Sequence, residues 1–302
     1  MHGNDGLAWP GWRSLLFVPA TNRALVDKAA GRGADALILD LEDAVADADK
    51  AVARADLGET IAALDDQRAS VVVRVNAGLL ALMRDLEAAV RPGLQAILLP
   101  KAETPQRLAV VDELITELEV EAGLPPGRIG LIPLVESARG LLNAPELAGA
   151  GSRITALALG PEDMALDLGG EPEAAVLTEP ARRLAWAARA SGRVAVGFPG
   201  SIANIKDQER LRADLTLARR LGFGAALCIH PDQLASCHEA FSVSVDEVEH
   251  ARRIVAAFDD AERAGRAVCV LDGQMIDRPV VLRARAALAR WQQQRESMES
   301  SL

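Results

Sequence analysis

Tyrosine is absent from this chain of 302 residues, and five phenylalanines and four tryptophans are its only aromatic side chains. A core built around large rings is therefore excluded, and Ala, Leu, Val and Ile must fill the interior. Cysteine is nearly as scarce. Cys228, Cys237 and Cys269 are odd in number and show no CxxC spacing. They read as reduced thiols of a cytoplasmic protein, with Cys228 packed inside a strand. No apolar run approaches the roughly 18 residues of a membrane helix. The start, MHGNDGLAWPGW, lacks a basic segment followed by an apolar one, so no secretion leader is expected. Positive charge is also in deficit, 33 Lys and Arg against 43 Asp and Glu, a net charge of −10. That balance argues against nucleic acid or an anionic membrane as partner. It leaves room for a small anionic substrate, because one arginine or bound cation reverses the sign inside a cleft.

Short β-type runs are what the chain has in quantity. They are SLLFV (14–18), ALILDL (36–41), VVVRV (71–75), AILL (96–99), GLIPLV (130–135), ITALAL (154–159), VAVGF (194–198) and AALCI (225–229). Most are continuously apolar, as parallel strands covered on both faces are. The segments between them have helical period; Leu108, Val111, Leu114, Ile115 and Leu118 fall three or four apart. Eight strands with helical crossovers predict an α/β fold, a (β/α)8 TIM barrel, over residues 1–241. An open doubly wound sheet is the competing reading, but no GxGxxG follows an early strand. Residues 242–302 exceed what a barrel needs and read as a C-terminal, mainly helical extension, with helices over 246–264 and 279–294 and a short strand at 267–271.

In a barrel, chemistry gathers where strands end. Those positions carry Asp40, Glu42 and Asp43, then Arg74 and Asn76, Lys101, Glu136, Glu162 and Asp163, and His230. Glu136 and Asp163 are 27 positions apart (163 − 136), one strand-helix unit, so they are expected on neighbouring strands about 4.8 Å apart. Two adjacent carboxylates repel unless they share a proton or a cation. Oxygen ligands without His or Cys favour Mg²⁺, with Mn²⁺ as the alternative, over Zn²⁺. The competing reading bridges Glu136 to Arg74 or Lys101. Arg74 follows three valines, and its planar fork suits either a substrate carboxylate or the acids after the second strand. Lys101 reads as a charged structural lysine or, if desolvated, a Schiff-base nucleophile. His230, in CIHP, reads as a loop-fixing residue before a catalytic one.

The blocks RSLLFVPATNRALVDKAA, LILDLEDAVADADKAVAR, VVVRVNA, ILLPKAET, LIPLVESARGLLNAPEL, ALALGPEDMALDLG, LGFGAALCIHPDQL and LDGQMIDRP run from Arg13 to the region of Trp291. In that order they resemble the citrate lyase β-subunit-like proteins, grouped with malyl-CoA lyases and HpcH/HpaI aldolases. The resemblance implies a Mg²⁺-dependent barrel that makes or breaks a C–C bond in a 3-hydroxyacyl-CoA thioester such as citryl-, malyl- or citramalyl-CoA. The products would be acetyl-CoA and a 2-oxo acid. It further implies Glu136 and Asp163 as metal ligands, Arg74 as the substrate-carboxylate arginine, and Phe17 and Lys28 as contacts to the CoA-bearing substrate. Asp277 of QMID matches an aspartate that reaches a neighbouring subunit's active site, which implies a homo-oligomer, a trimer or higher.

The chain also departs from that pattern. After RVN it reads AGLLALMRDL instead of a D-T-P-W-like loop, and VAVGFPGSIANIKD lacks the usual acid near the seventh strand. Both differences lie on the catalytic rim and bear on the acyl group. Two other functions share the same residues: a malyl- or citramalyl-CoA thioesterase, and a citryl-carrier lyase subunit of a larger complex. A barrel that only binds is disfavoured by the retention of Glu136, Asp163 and Arg74.

Overall fold

The computed structural model describes residues 7–300, with side chains through residue 295. Eight parallel strands close into a barrel in chain order. They are β1 (Ser14–Pro19), β2 (Ala36–Asp40), β3 (Val71–Arg74), β4 (Leu94–Leu99), β5 (Gly130–Val135), β6 (Ala156–Leu159), β7 (Val194–Val196) and β8 (Phe223–Cys228). Each coincides with one of the apolar runs. β1 pairs with both β2 and β8, which seals the cylinder and removes both sheet edges. Helices connect successive strands, so the fold is the predicted (β/α)8 barrel.

The interior is aliphatic, as the shortage of rings requires. Leu15, Ile38, Val72, Leu98, Ile132 and Leu134 fill it from β1 to β5, and alanines 156, 158 and 225 line it from β6 and β8. Ala36 and Ala96 on β2 and β4 and Val196 and Leu227 on β7 and β8 belong to the same cluster, so bulky and small residues alternate around the barrel. Trp12 joins the same cluster from below β1. Its indole Nε1–H donates to Ser70 Oγ at 3.2 Å, and Trp9 meets it edge-on at 5.2 Å. Two of the four tryptophans therefore serve the barrel's N-terminal end, a use the sequence did not disclose.

Three helix starts near the C-terminal rim are capped by local hydrogen bonds. Thr104 accepts from the Arg107 N–H ahead of helix Pro105–Glu121, and Ser137 from the Gly140 N–H ahead of helix Ala138–Leu142. After β8, the His230 side chain accepts from the Asp232 N–H, and Gln233 Oε1 accepts from the backbone of Ile229 and His230.

The chain divides into two compact units, the first running to Ala240 and the second beginning at Phe241. The second unit consists of helices Val245–Arg263 and Arg278–Ser300 with a hairpin between them. Its own core holds Ala251, Ile254, Phe258, Ile276, Val281 and Ala284. The hairpin corrects the sequence reading, which had one short strand followed by a turn. Here β9 (Cys269–Leu271) pairs antiparallel with β10 (Gln274–Ile276). Asp272 and Gly273 both take positive φ, 51° and 77°, the two-residue turn that Asp-Gly favours. The signal was present in LDGQ, but the segment is too short for periodicity to show a strand. Among the described residues no helix is long and apolar enough to cross a membrane.

Candidate active site

Five adjacent strand ends, β2 to β6, bring their polar residues together. Asp40 and Arg74 end β2 and β3 in register. The Arg74 guanidinium donates to both Asp40 oxygens, Nε–H to Oδ1 and Nη2–H to Oδ2, each at 2.6 Å. Asp40 is almost fully buried and also accepts from the backbone N–H groups of Glu42 and Ala44 at 3.0 Å. The remaining nitrogen, Nη1, reaches Asp43 at 3.0 Å and Glu42 at 3.2 Å. Of the two predicted roles, bridging to the acids after β2 is therefore the one this arrangement displays. Burial works against the Arg74 charge, but the hydrogen bonds and charges of Asp40, Glu42 and Asp43 outweigh it and raise its pKa. The same guanidinium lies 4.8 Å from the centroid of the Phe17 ring, a cation–π contact the sequence did not reveal.

Glu42 has the reverse balance. Burial is the largest influence and the carboxylates of Asp43, Glu136 and Asp40 add to it, so its pKa rises to about 7 despite Arg74. Asn76, another strand-end residue, is turned to structural work. Its backbone and amide N–H groups both donate to Asp85 at 2.7 Å, and its carbonyl accepts from Lys50 at 2.5 Å.

Glu136, just past β5, is buried and accepts from the backbone N–H of Lys101 at 2.7 Å. Lys101 achieves this by adopting φ +51°, the left-handed region that costs a non-glycine residue about 1–3 kcal/mol and that clusters at functional sites. Burial raises the Glu136 pKa, opposed by this hydrogen bond and by the charges of Lys101 and Arg74. Gly160 makes the opposite wall, where an added Cβ would lie 2.6 Å from Glu136 Oε2. The glycine of GPED is thus needed for close approach, a requirement invisible without the fold. The Lys101 ammonium pairs with Asp163, in the first turn of helix Pro161–Asp167, and lies 3.7 Å from Glu136 Oε1. Glu162 faces the other way and accepts from Ser201 Oγ–H at 2.7 Å.

Glu136 and Asp163 therefore converge on one positive charge, supplied here by Lys101. This donor set fits a divalent cation of the magnesium type: two hard oxygen donors from the segments that follow neighbouring strands, already arranged around a cation. Among the described residues no group of three or more His, Cys, Asp or Glu forms a metal cage, so further ligands would come from water or substrate.

A cavity of about 280 Å³ opens between the end of β1, helix Arg23–Ala30 and the loop after β8. Phe17, Leu25 and Ile229 supply apolar wall, and Lys28 and Arg32 supply positive charge. Phe17 thus belongs both to this cavity and to the Arg74 cluster. His230 lines the cavity too, and its Nδ1 is occupied as the acceptor for Asp232 N–H at 3.2 Å, the loop-fixing role. Asp277 lies in the second unit and caps helix Arg278–Ser300, its Oδ1 accepting from Val280 N–H at 3.2 Å.

Comparison with known proteins gives consistent matches over most of the chain. The profile of the HpcH/HpaI aldolase/citrate lyase family matches residues 13–231. The citrate lyase β subunit of Leuconostoc mesenteroides is 35% identical over 280 residues, covering 91% of this chain and 92% of that protein. The (3S)-malyl-CoA thioesterase of Cereibacter sphaeroides is 37% identical over 282 residues, covering 92% and 94%. Among solved structures, CitE from Mycobacterium tuberculosis, in complex with magnesium, acetoacetate and coenzyme A, superposes with a TM-score of 0.71 at 35% identity. That match covers 92% of this chain and 97% of the other.

Proposed function

The chain belongs to the HpcH/HpaI aldolase/citrate lyase family and is a carbon–carbon lyase, and on that premise we propose that it cleaves or forms a 3-hydroxyacyl-CoA thioester with Mg²⁺. The observation that carries this reading is the convergence of Glu136 and Asp163 on one cation position beside Arg74. The Mycobacterium tuberculosis structures of CitE with magnesium, acetoacetate and coenzyme A and of a citrate lyase β subunit with oxaloacetate and magnesium support the choice of metal and substrate class.

Glu136 and Asp163 would hold the metal, which when bound supplies Lewis-acid stabilisation of a developing oxyanion, worth several kcal/mol. Arg74 orients the substrate carboxylate. Its Nε and Nη2 are fixed by Asp40, whereas Nη1 contacts the mostly buried Glu42 at 3.2 Å and Asp43, whose side chain is 74% exposed. The Asp43 end of that pair is solvated and worth little, so a substrate carboxylate can take the place of Asp43 at low cost while Glu42 keeps its contact. The cavity beside Phe17 accommodates the thioester arm, with Lys28 and Arg32 available to its phosphates. Cleavage requires the substrate hydroxyl to lose its proton while the C–C electron pair passes to the thioester α-carbon as an enolate, and a proton delivered to that carbon completes acetyl-CoA beside the 2-oxo acid. Asp277 from a neighbouring subunit of a homo-oligomer is the proton carrier in this reading, and residues 242–302 are the extension that brings it there.

The similarity to a malyl-CoA thioesterase favours one second reading, hydrolysis at the same site. One experiment separates them. The purified protein is offered citryl-, malyl- and citramalyl-CoA and, separately, a citryl thioester of an acyl-carrier protein, each with Mg²⁺, and products are resolved as acetyl or free thiol forms of CoA or the carrier. Acetyl-CoA with a 2-oxo acid supports the lyase. Free CoA with the intact hydroxy acid supports the thioesterase, and turnover of a carrier-protein thioester alone supports the subunit of a larger complex.

A further inference from the structure

Cys228 and Cys237 show no motif spacing, yet the fold brings them together. Cys228 is the last residue of β8, and Cys237 lies in helix Leu234–Phe241. Both are fully buried, and their sulfurs are 3.4 Å apart. Between them runs Ile229-His230-Pro231-Asp232, which forms one wall of the cavity. A disulfide needs its sulfurs at about 2.05 Å, so bond formation calls for a shift of little more than an ångström. The segment that must give is the strand-helix connection carrying the cavity wall.

We propose that Cys228 and Cys237 are a modification site, a thiol pair that a peroxide converts to an intramolecular disulfide, fixing the β8 side of the cavity. The reaction balances as two thiols and one hydrogen peroxide giving one disulfide and two waters. One sulfur first displaces water from the peroxide to become a sulfenic acid, and the second sulfur displaces water from that. The thiols are oxidised by two electrons and the O–O bond is reduced. The pair is a slow lock and not a fast sensor. Contact with Cys237, then burial, raises the Cys228 pKa well above its ordinary value, which leaves little thiolate to react. Oxidation therefore accelerates as pH rises. Once formed, the buried bond resists reduction unless the loop opens.

The test uses the full chain and hydrogen peroxide, followed by denaturation, alkylation and peptide mapping. Cys269, only partly buried and in the second unit, is the internal control. The expected result is a Cys228–Cys237 cross-link, one alkylated cysteine where the reduced protein shows three, and recovery of three after dithiothreitol. Cys228→Ser and Cys237→Ala, as independent variants, each abolish the cross-link. On the proposed function, which seats CoA in this cavity and is checked first by CoA binding to the reduced protein, the oxidised wild type binds CoA several-fold more weakly than the reduced form, a difference both variants lose. Alkylation of all three cysteines after peroxide, or sulfinic acid on either residue without a cross-link, overturns the proposal. Unchanged CoA affinity in cross-linked protein overturns the coupling to the cavity. The mapping requires neither metal nor turnover, so its outcome is independent of the lyase reading.

Discussion

Arg74 and Asp40 form a two-pronged ion pair at the ends of β3 and β2, with both bonds at 2.6 Å. The arginine that the sequence assigned to the substrate is thus first held by the protein, and only Nη1 reaches an exposed group, Asp43, beside the mostly buried Glu42. Asp40 is a positioning residue, and its effect passes through Arg74. Replacing Asp40 by Asn keeps the shape but leaves a guanidinium without its buried counter-charge. Breaking a buried pair in this way costs about 3–5 kcal/mol. Urea denaturation of Asp40→Asn is expected to show a loss in that range, with kcat/KM reduced as well. If kcat/KM fell to the level of Arg74→Ala while stability held, Asp40 would be a direct participant.

Lys101 occupies the position where Glu136 and Asp163 converge. Lys101→Met removes the ammonium but keeps the backbone N–H that Glu136 accepts. The metal-free variant is expected to melt below the wild type, and Mg²⁺ is expected to raise its Tm by more, since no side chain competes for the carboxylates. Glu136→Gln and Asp163→Asn should fold and lose the Mg²⁺-induced shift altogether. A shift retained in both variants, or wild-type product trapped on Lys101 by borohydride, would sink the metal assignment in favour of Schiff-base chemistry.

Asp277 caps its helix through Val280, and a cap removed to Ala costs about 0.5–2 kcal/mol. That role alone predicts a change in Tm with little change in rate. The proposed catalytic role predicts that Asp277→Asn is folded, oligomeric and nearly inactive. Mixing it with inactive Glu136→Gln should then restore partial activity, because a hybrid oligomer joins one intact metal site to one intact tail. Absence of recovery, with subunit exchange verified, rules out the shared site.

A polar cluster at the start of β1 sets an acid limit on stability. Arg13 binds Asp35 through its backbone N–H at 2.7 Å and its guanidinium at 2.8 and 2.9 Å. His238 Nε2 lies 2.8 Å from Ser14 Oγ and 3.5 Å from Asp35. Burial opposes the Asp35 charge, but the Arg13 bonds prevail and hold its pKa below the ordinary 3.8. Burial lowers the His238 pKa below its ordinary 6.5, with Asp35 opposing and Arg13 assisting. Both values are depressed on folding, so the unfolded chain takes up more protons and stability falls as pH falls. The loss from His238 begins as pH drops through 6.5, and that from Asp35 begins below 3.8. His238→Asn should flatten the upper part of a urea-midpoint profile and Asp35→Asn the lower. Profiles parallel to the wild type would show that neither group carries the dependence.

The apolar runs determined the barrel without help from the fold. A strand buried on both faces must be continuously hydrophobic, and eight such runs separated by amphipathic helices leave few alternatives. The same logic located Arg74, Lys101, Glu136 and Asp163, because a polar residue directly after a buried strand emerges at the barrel's rim. Which of them meet was decided by tertiary structure alone. Charge and spacing allowed Arg74 to face substrate or Asp40, and allowed Glu136 to hold a metal, Arg74 or Lys101. The choice rests on the in-register pairing of β2 with β3, the left-handed turn at Lys101 and the missing side chain at Gly160. Each depends on backbone geometry or on contacts across adjacent strands, about which a local pattern of residue types carries no information. The cysteine pair makes the same point. Cys228 and Cys237 are nine positions apart, a distance that means nothing until a strand ends at one and a helix turns the other back onto it.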